Sequence, residues 1–277
     1  MAEDQKEVYD VAIIGTGAAG YTASIYASRY KLRNIVIGEM IGGQTAEAHL
    51  IQNFPSHKEI PGMELMRLMR EHAEEYGVRM EYERVNSING TYPEFHILTT
   101  SGKTIHAKTI LLAIGQRRRK LGIPGEKELK GRGITYCATC DAVFYTGKTA
   151  TVVGGSDAAN TASLYLSTLA KKVYQIYRGE KLRGEIVWAD KVMNNKNIEL
   201  ILSTNVIEAI GKERLEAIKL DSPYNGSDIL KTDGLFIEIG SEPDTTLMDN
   251  LSVKTDEIGF IEVNNDQTTN VKGIWAA

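Results

Sequence analysis

Cysteine is nearly absent, with two residues in 277, at positions 137 and 140. Two thiols cannot build the disulfide framework of a small secreted domain. So close a pair points instead to redox or metal chemistry in a reducing compartment, which makes the cytoplasm the expected location. No apolar run approaches the roughly 20 residues that a helix needs to cross a bilayer, and no membrane contact is expected. The amino terminus, MAEDQKEVYD, lacks the basic stretch and apolar segment of a secretory signal. Positive charge is not in excess either. The 32 basic and 36 acidic side chains leave a formal net charge of −4, which supplies no electrostatic footprint for nucleic acid. A small molecule or another protein is the expected partner. Apolar material is ample: a hydrophobic content of 42% can bury a sizeable core, and the length fits two domains better than one.

The chain repeats one plan. An apolar run at 11–14, a glycine turn at 15–20, a helical stretch to about Tyr30 and a second strand at 35–37 form the first copy. A strand at 151–153, a turn at Gly154, a helical stretch to about Ala170 and a strand at 173–177 form the second. Each copy is followed by a segment of alternating apolar residues with turn signals, SGK in one and YNGSD in the other, that predicts antiparallel hairpins. Both segments are expected to close on strands ending in Ile-Gly, at Ile114-Gly115 and Ile239-Gly240. A proline-containing connection follows each, around Pro124 and Pro243, and crossings between domains are placed near residues 117 and 243.

GTGAAG has the G-x-G-x-x-G pattern between a strand and a helix, with Glu39 beyond it. Gly15 permits the tight turn, Gly17 lets a pyrophosphate approach the backbone, and Gly20 lets helix and strand pack closely. The phosphates then meet the positive end of the helix. A glycine pattern alone can be a mere turn, but strand, helix and acidic residue in register point to dinucleotide binding.

Cys137-Ala138-Thr139-Cys140-Asp141 is the second constellation. Sulfurs two residues apart can close a small disulfide, and such pairs often contain one thiol of lowered pKa that attacks as thiolate. Asp141 is a candidate proton carrier. The competing readings are two buried structural cysteines or half of a zinc site. Zinc needs about four ligands, and the histidines at 49, 57, 72, 96 and 106 all lie far upstream, so no metal is expected.

These residues, together with GTGAAGYTASIYASR, Gly42-Gly43-Gln44, Asn53 before Phe54-Pro55, ILLAIG, GIPGE, YCATCD and VVGG, resemble the low-molecular-weight thioredoxin reductases along essentially the whole chain. The resemblance implies an α/β fold of two Rossmann-like three-layer nucleotide-binding domains, the second inserted into the first. The FAD-binding domain would span 1–116 and 244–277, and a nicotinamide-type domain carrying the cysteines would span 117–243. It implies that Gly15, Gly17, Ala18, Gly20, Glu39, Gly43, Gln44, Asn53 and Gly115 serve FAD, and that Gly154, Ser156, Arg178 and Arg183 line the second nucleotide site. Cys140 would face the flavin, Cys137 would attack the disulfide of a thioredoxin-like protein, and Asp141 would carry the proton. A homodimer, and rotation of the inserted domain about the crossings, are implied as well.

The second site departs from the family pattern. Ser156 stands where a glycine would admit the pyrophosphate. The family's His-Arg-Arg with a further arginine is here Tyr177-Arg178-Gly179, with Arg183 retained and Glu180 added. One forked cation suited to a 2′-phosphate is gone. NADPH and NADH are therefore expected to bind weakly, and the electron donor need not be NADPH. Ala142 and Val143 replace a glycine and a frequent aromatic after the cysteines, while Phe144 stays. The Arg117-Arg118-Arg119-Lys120 run reads as a solvated charge run. The family continues with Gly-Asp and a helix past the position of Ala277, and truncation is the expectation. FAD-dependent reduction of a protein disulfide is the leading function. An FAD-dependent dithiol oxidase and a flavin-binding module without turnover are the alternatives.

Overall fold

A computed structural model describes residues 7–244, 246–248 and 250–277. They form two compact units, one made of the residues up to Arg117 and from Glu242 onward, the other of Arg118–Ser241. Each is a Rossmann-like three-layer α/β unit, and the second is inserted into the first.

In the first unit β1 (Val8–Ile14), α1 (Ala18–Arg29) and β2 (Asn34–Ile37) are followed by a 3-10 turn, Gly43–Glu47, and then α2 (Gly62–Glu75). β3 (Arg79–Glu81), β4 (Val85–Thr91), β5 (Glu94–Thr99) and β6 (Thr104–Leu112) complete its leading segment. The sheet order is β3-β2-β1-β6-β5-β4. β3, β2, β1 and β6 run parallel, whereas β4, β5 and β6 are antiparallel. The first half of β6 forms a hairpin with β5, and its second half pairs with the closing strand Ile274–Ala276, so one strand serves both arrangements. Strand side chains alternate between faces. Ile13 and Val36 thus meet Tyr21 and Ala73 of the helices. Ala12, Ile14, Ile35 and Ile37 meet Val85, Ile88, Phe95 and Ile97 of the antiparallel strands. Burying each such isoleucine is worth about 1.5–3 kcal/mol, and this double-sided burial fixes the sheet register that aims the glycine turn.

The crossings are β7 (Gln116–Arg118) and a returning strand, Ser241–Pro243, which pair as a two-stranded ribbon. Arg117, Arg119 and Lys120 are exposed, as a solvated charge run requires, and that reading is corrected at Arg118. Arg117 pairs with Glu242 at 2.8 Å, and the Nε of Arg119 donates to the carbonyl of Ser241 at 3.0 Å. Arg118 pairs with Glu238 at 2.8 Å, and Glu238 is only 4% exposed, so this arginine neutralises a buried carboxylate.

The second unit contains α3 (Glu126–Leu129), β8 (Ile134–Thr135), α4 (Ala138–Asp141) and a 3-10 turn, Ala142–Tyr145. β9 (Thr149–Val153), α5 (Asp157–Ser167), β10 (Lys172–Tyr177), α6 (Ile186–Met193) and β11 (Ile198–Leu202) follow. β12 (Val206–Gly211), β13 (Leu215–Tyr224) and β14 (Ser227–Lys231) make an antiparallel sheet, and β15 (Gly234–Ile237) returns to the parallel one, ordered β11-β10-β9-β15-β8. Ala159, Ala162 and Leu166 line one face of α5 and pack with Val152, Val173 and Phe236. Val153, Ile176 and Ile237 face Ala209, Ile218 and Leu220 on the other side. α5 stops at Ser167 rather than Ala170, and at its end the hydroxyls of Ser167 and Thr168 bond back to the carbonyls of Leu164 and Tyr165, each at 2.7 Å. β6 and β15 end at Leu112 and Ile237, short of the Ile-Gly pairs, where the chain leaves each sheet for its crossing.

Candidate active site

Cys137 and Cys140 form a disulfide with their Cα atoms 5.4 Å apart. β8 delivers the chain to Cys137, which caps the single turn of α4, and the N–H of Cys140 donates to the Sγ of Cys137 at 3.2 Å. Thr135, 8% exposed, ties the site together. Its hydroxyl donates to the carboxylate of Asp141 and accepts the N–H of Cys137 at 3.2 Å. Cys140 is exposed and Cys137 half-buried, and the following Val143 and Phe144 are exposed. Burial pushes the Tyr145 hydroxyl up from its ordinary pKa, and the Asp141 and Asp233 carboxylates push the same way.

Nothing in the sequence pattern around Thr135 marks it out. Glu126 and Tyr136 carry no local signal either. The buried carboxylate of Glu126 accepts the N–H groups of Leu121 at 3.0 Å and Gly122 at 2.6 Å, and the hydroxyl of Tyr136 at 2.6 Å. Tyr136 is raised from its ordinary pKa, first by burial and then by that bond. The GIPGE segment is thereby fastened to the residue before Cys137.

In the first unit the glycine turn has the shape that a pyrophosphate needs. Gly15 has φ +126°, and a Cβ there would lie 2.7 Å from the carbonyl carbon of Ala113. A Cβ on Gly20 would lie 3.0 Å from the carbonyl carbon of Gly15, so helix and strand touch. Beside Gly17 nothing lies within 4 Å of such a Cβ, which leaves the approach to the turn open. α1 begins at Ala18 with no acidic residue in its first turn and no side-chain cap, so its N–H groups are available to an anion. These features fit FAD.

The Glu39 loop and Gly43 are brought to this turn. Thr16 donates to the carbonyl of Met40 at 2.6 Å and accepts the N–H of Gly42 through its own carbonyl at 2.9 Å, which holds the exposed Glu39 loop. A Cβ on Gly43 would stand 3.4 Å from the Cα of Gly17. Gln44 donates to the carbonyl of Gln116 at 2.5 Å, and Gly115 and Gln116 line a cavity of about 310 Å³ within this unit. Asn53 is on an exposed turn, and among the described residues no hydrogen bond ties it to the glycine turn.

The second nucleotide turn is built differently. Gly154 matches Gly15 in its N–H bond to the neighbouring strand, at 2.9 Å to Ile176 against 2.7 Å to Ile37. By that register Ser156 replaces Gly17, and its side chain is exposed where the first turn has none. Asp157 starts α5, and its carboxylate already accepts the N–H of Glu185 at 2.7 Å. The N–H of Arg183 donates to the carbonyl of Gly155 at 2.5 Å. Arg178, Glu180, Lys181 and Arg183 are exposed. A carboxylate in the first turn and a side chain at 156 do not suit a pyrophosphate as the first unit does.

A model of the pyridine nucleotide-disulphide oxidoreductase family matches residues 9–277. A thioredoxin reductase of Bacillus subtilis is 37% identical over 277 residues, covering 99% of this chain and 87% of that protein. One from Listeria innocua is 37% identical over 281 residues, covering 100% of this chain and 87% of that protein. The crystal structure of Lactococcus lactis thioredoxin reductase in its FR conformation aligns with a TM-score of 0.91 at 32% identity, covering 97% of this chain and 89% of that one. The T. acidophilum thioredoxin reductase aligns at 0.90 with 35% identity, covering 98% and 90%.

Proposed function

The chain belongs to the pyridine nucleotide-disulphide oxidoreductase family, among its thioredoxin reductases, and from that premise we propose that it reduces the disulfide of a thioredoxin-like protein through Cys137 and Cys140. The observation that carries this reading is the Cys137–Cys140 disulfide with Asp141 fixed beside it by Thr135. Bound at the first glycine turn, FAD supplies a carrier that passes electrons to a disulfide in pairs.

Two electrons and one proton open the disulfide to a thiolate and a thiol. The N–H of Cys140 stabilises negative charge on the Sγ of Cys137 and favours that sulfur as the thiolate. It attacks the partner's disulfide, forms a mixed disulfide and releases one partner thiolate. Cys140 then attacks the Sγ of Cys137, which restores the internal disulfide and frees the second partner thiol. Asp141, oriented by Thr135, carries the proton from Cys140 to the departing sulfur. Exposure alone would choose Cys140 as the outer sulfur, but the hydrogen bond favours Cys137, because reactivity follows the stability of the thiolate. The exposed Val143 and Phe144 offer an apolar contact for the partner.

The second turn binds nicotinamide cofactors poorly in this reading, with little distinction between NADPH and NADH. The protein acts as a homodimer in the reducing cytoplasm; no helix among the described residues is long and apolar enough to cross a membrane. An anaerobic reductive titration of the full-length flavoprotein, followed by turnover of oxidised thioredoxin, tests the function. Uptake of about four electrons per chain and release of thioredoxin dithiol are expected. Uptake of two electrons with no thioredoxin turnover would overturn it.

A further inference from the structure

Tyr177 ends β10 and turns its half-buried ring back over the second nucleotide turn. A Cβ placed on Gly155 would lie 2.6 Å from the Cδ2 of that ring, and one placed on Gly179 would lie 2.5 Å from Cε1 and 3.0 Å from Cζ. Real Cβ contacts do not come so close. The ring therefore fills the space that a side chain at either position would need.

The backbone around the ring is held by hydrogen bonds. The carbonyl of Tyr177 accepts the N–H of Thr204 at 3.2 Å, and that of Gly179 accepts the N–H of Ser203 at 3.0 Å. The carbonyl of Gly155 is held by Arg183, and Arg183 is held in turn by the side chain of Asn160, which donates to its carbonyl at 3.1 Å. Room for a side chain at 179 therefore has to come from rotation of the Tyr177 side chain or from a shift of residue 179 that breaks its bond to Ser203.

The first unit solves the same junction in reverse. There the turn supplies the side chain, Thr16, and the strand end supplies the glycine, where a Cβ on Gly38 would lie 2.7 Å from the Oγ1 of Thr16. Threonine fills that gap and reaches no further. Tyrosine fills it and extends to the next residue but one, where a side chain larger than glycine would meet its ring.

Residue 179 is the position at which the family pattern carries an arginine. We propose that Tyr177 is the specificity-determining residue of the second nucleotide fold: by excluding a side chain at 179 it removes the cation that would bind a 2′-phosphate, so that Tyr177 and Gly179 are one interlocked change. This rests on reading that fold as a weakened nicotinamide site. The chemical class it turns away is the 2′-phosphorylated dinucleotide.

The test is a cycle of full-length flavoproteins: unmodified, Tyr177→His, Gly179→Arg and the double variant, with Gly179→Ala in both backgrounds. Thermal midpoints and equilibrium binding of NADPH and NADH are read without turnover. Gly179→Arg and Gly179→Ala should each lower Tm by about 3 to 8 °C beside Tyr177, and by much less beside histidine, whose ring lacks Cζ and the hydroxyl. Neither single variant should gain preference for NADPH, whereas the double variant should gain about tenfold or more over NADH. If Gly179→Arg fails to fold, Gly179→Ala carries the stability arm. Equal Tm changes in the two backgrounds, or a full gain in preference from Gly179→Arg alone, would overturn the proposal, as would a stable double variant with no gain. Fast reduction of the unmodified protein by NADPH would overturn the weak-site reading instead, and would leave the Tm cycle to be judged separately.

Discussion

Thr135 donates its hydroxyl hydrogen to the carboxylate of Asp141. It does so while accepting the N–H of Cys137 at 3.2 Å, so one buried side chain sets the spacing of acid and sulfur. In Thr135→Val the volume is kept and both bonds are lost. A hydrogen bond to a charged group is worth about 1.5–3 kcal/mol, so kcat for thioredoxin reduction should fall about ten- to a hundredfold with KM little changed. Thr135→Ser should recover most of the rate. A valine variant with an unaltered kcat and pH profile would remove Thr135 from the catalytic machinery.

The two cysteines should behave unequally. Cys137→Ser leaves Cys140 as the single thiol, and if Cys140 is the sulfur that meets the flavin, a long-wavelength absorption band should appear on reduction of any adventitious disulfide. Cys140→Ser should show none, and both variants should lose thioredoxin turnover. A band in the Cys140 variant alone would reverse the roles, and turnover surviving in either variant would dismiss the dithiol mechanism.

The glycines at 17 and 20 separate flavin binding from folding. A Cβ on Gly20 would strike the backbone of Gly15, whereas one on Gly17 meets nothing within 4 Å. Gly17→Ala should thus leave the Tm of the flavin-free protein unchanged while weakening FAD binding about tenfold or more, since its Cβ points where the pyrophosphate must come. Gly20→Ala should lower Tm as well as FAD content. Equal FAD affinity in the unmodified and Gly17→Ala proteins, measured by flavin fluorescence, would place the pyrophosphate elsewhere.

The parts of this structure that were legible beforehand are those governed by local pattern. The repeat of strand, glycine turn, helix and strand shows because Gly15 and Gly20 are needed for contacts that no other residue allows. The cysteine pair shows because its spacing is short. Contacts between residues distant in sequence leave no such mark. Nothing near Arg118 announces that it neutralises Glu238, and its run of charges reads as surface until the two are seen 2.8 Å apart. Glu126 looks like an ordinary charged residue of a loop, yet it is buried and gathers backbone N–H groups and Tyr136. The changes at 177 and 179 read as two separate departures from the family pattern, and only the position of the ring joins them.

The glycine turn also has an alkaline weakness. Tyr21 follows Gly20 on α1, its ring is fully buried, and burial pushes its hydroxyl up to about 12 from an ordinary value of 10.0. Because the folded pKa is the higher one, the folded state holds its proton over a range in which the unfolded chain has lost it. The contribution is therefore intact below pH 10, and it is lost as pH rises from 10 through 12. A shift of that size corresponds to about 2–3 kcal/mol. Tyr9, Tyr82 and Tyr145 are also raised by burial, so the loss is shared. Urea midpoints of the unmodified protein and of Tyr21→Phe, measured at intervals from about pH 8 to pH 12, isolate the part due to Tyr21. Both should fall above pH 10, the unmodified protein more steeply, so that the phenylalanine variant gains relative stability with rising pH. Parallel curves across that window would show that the Tyr21 hydroxyl is not held neutral by its burial.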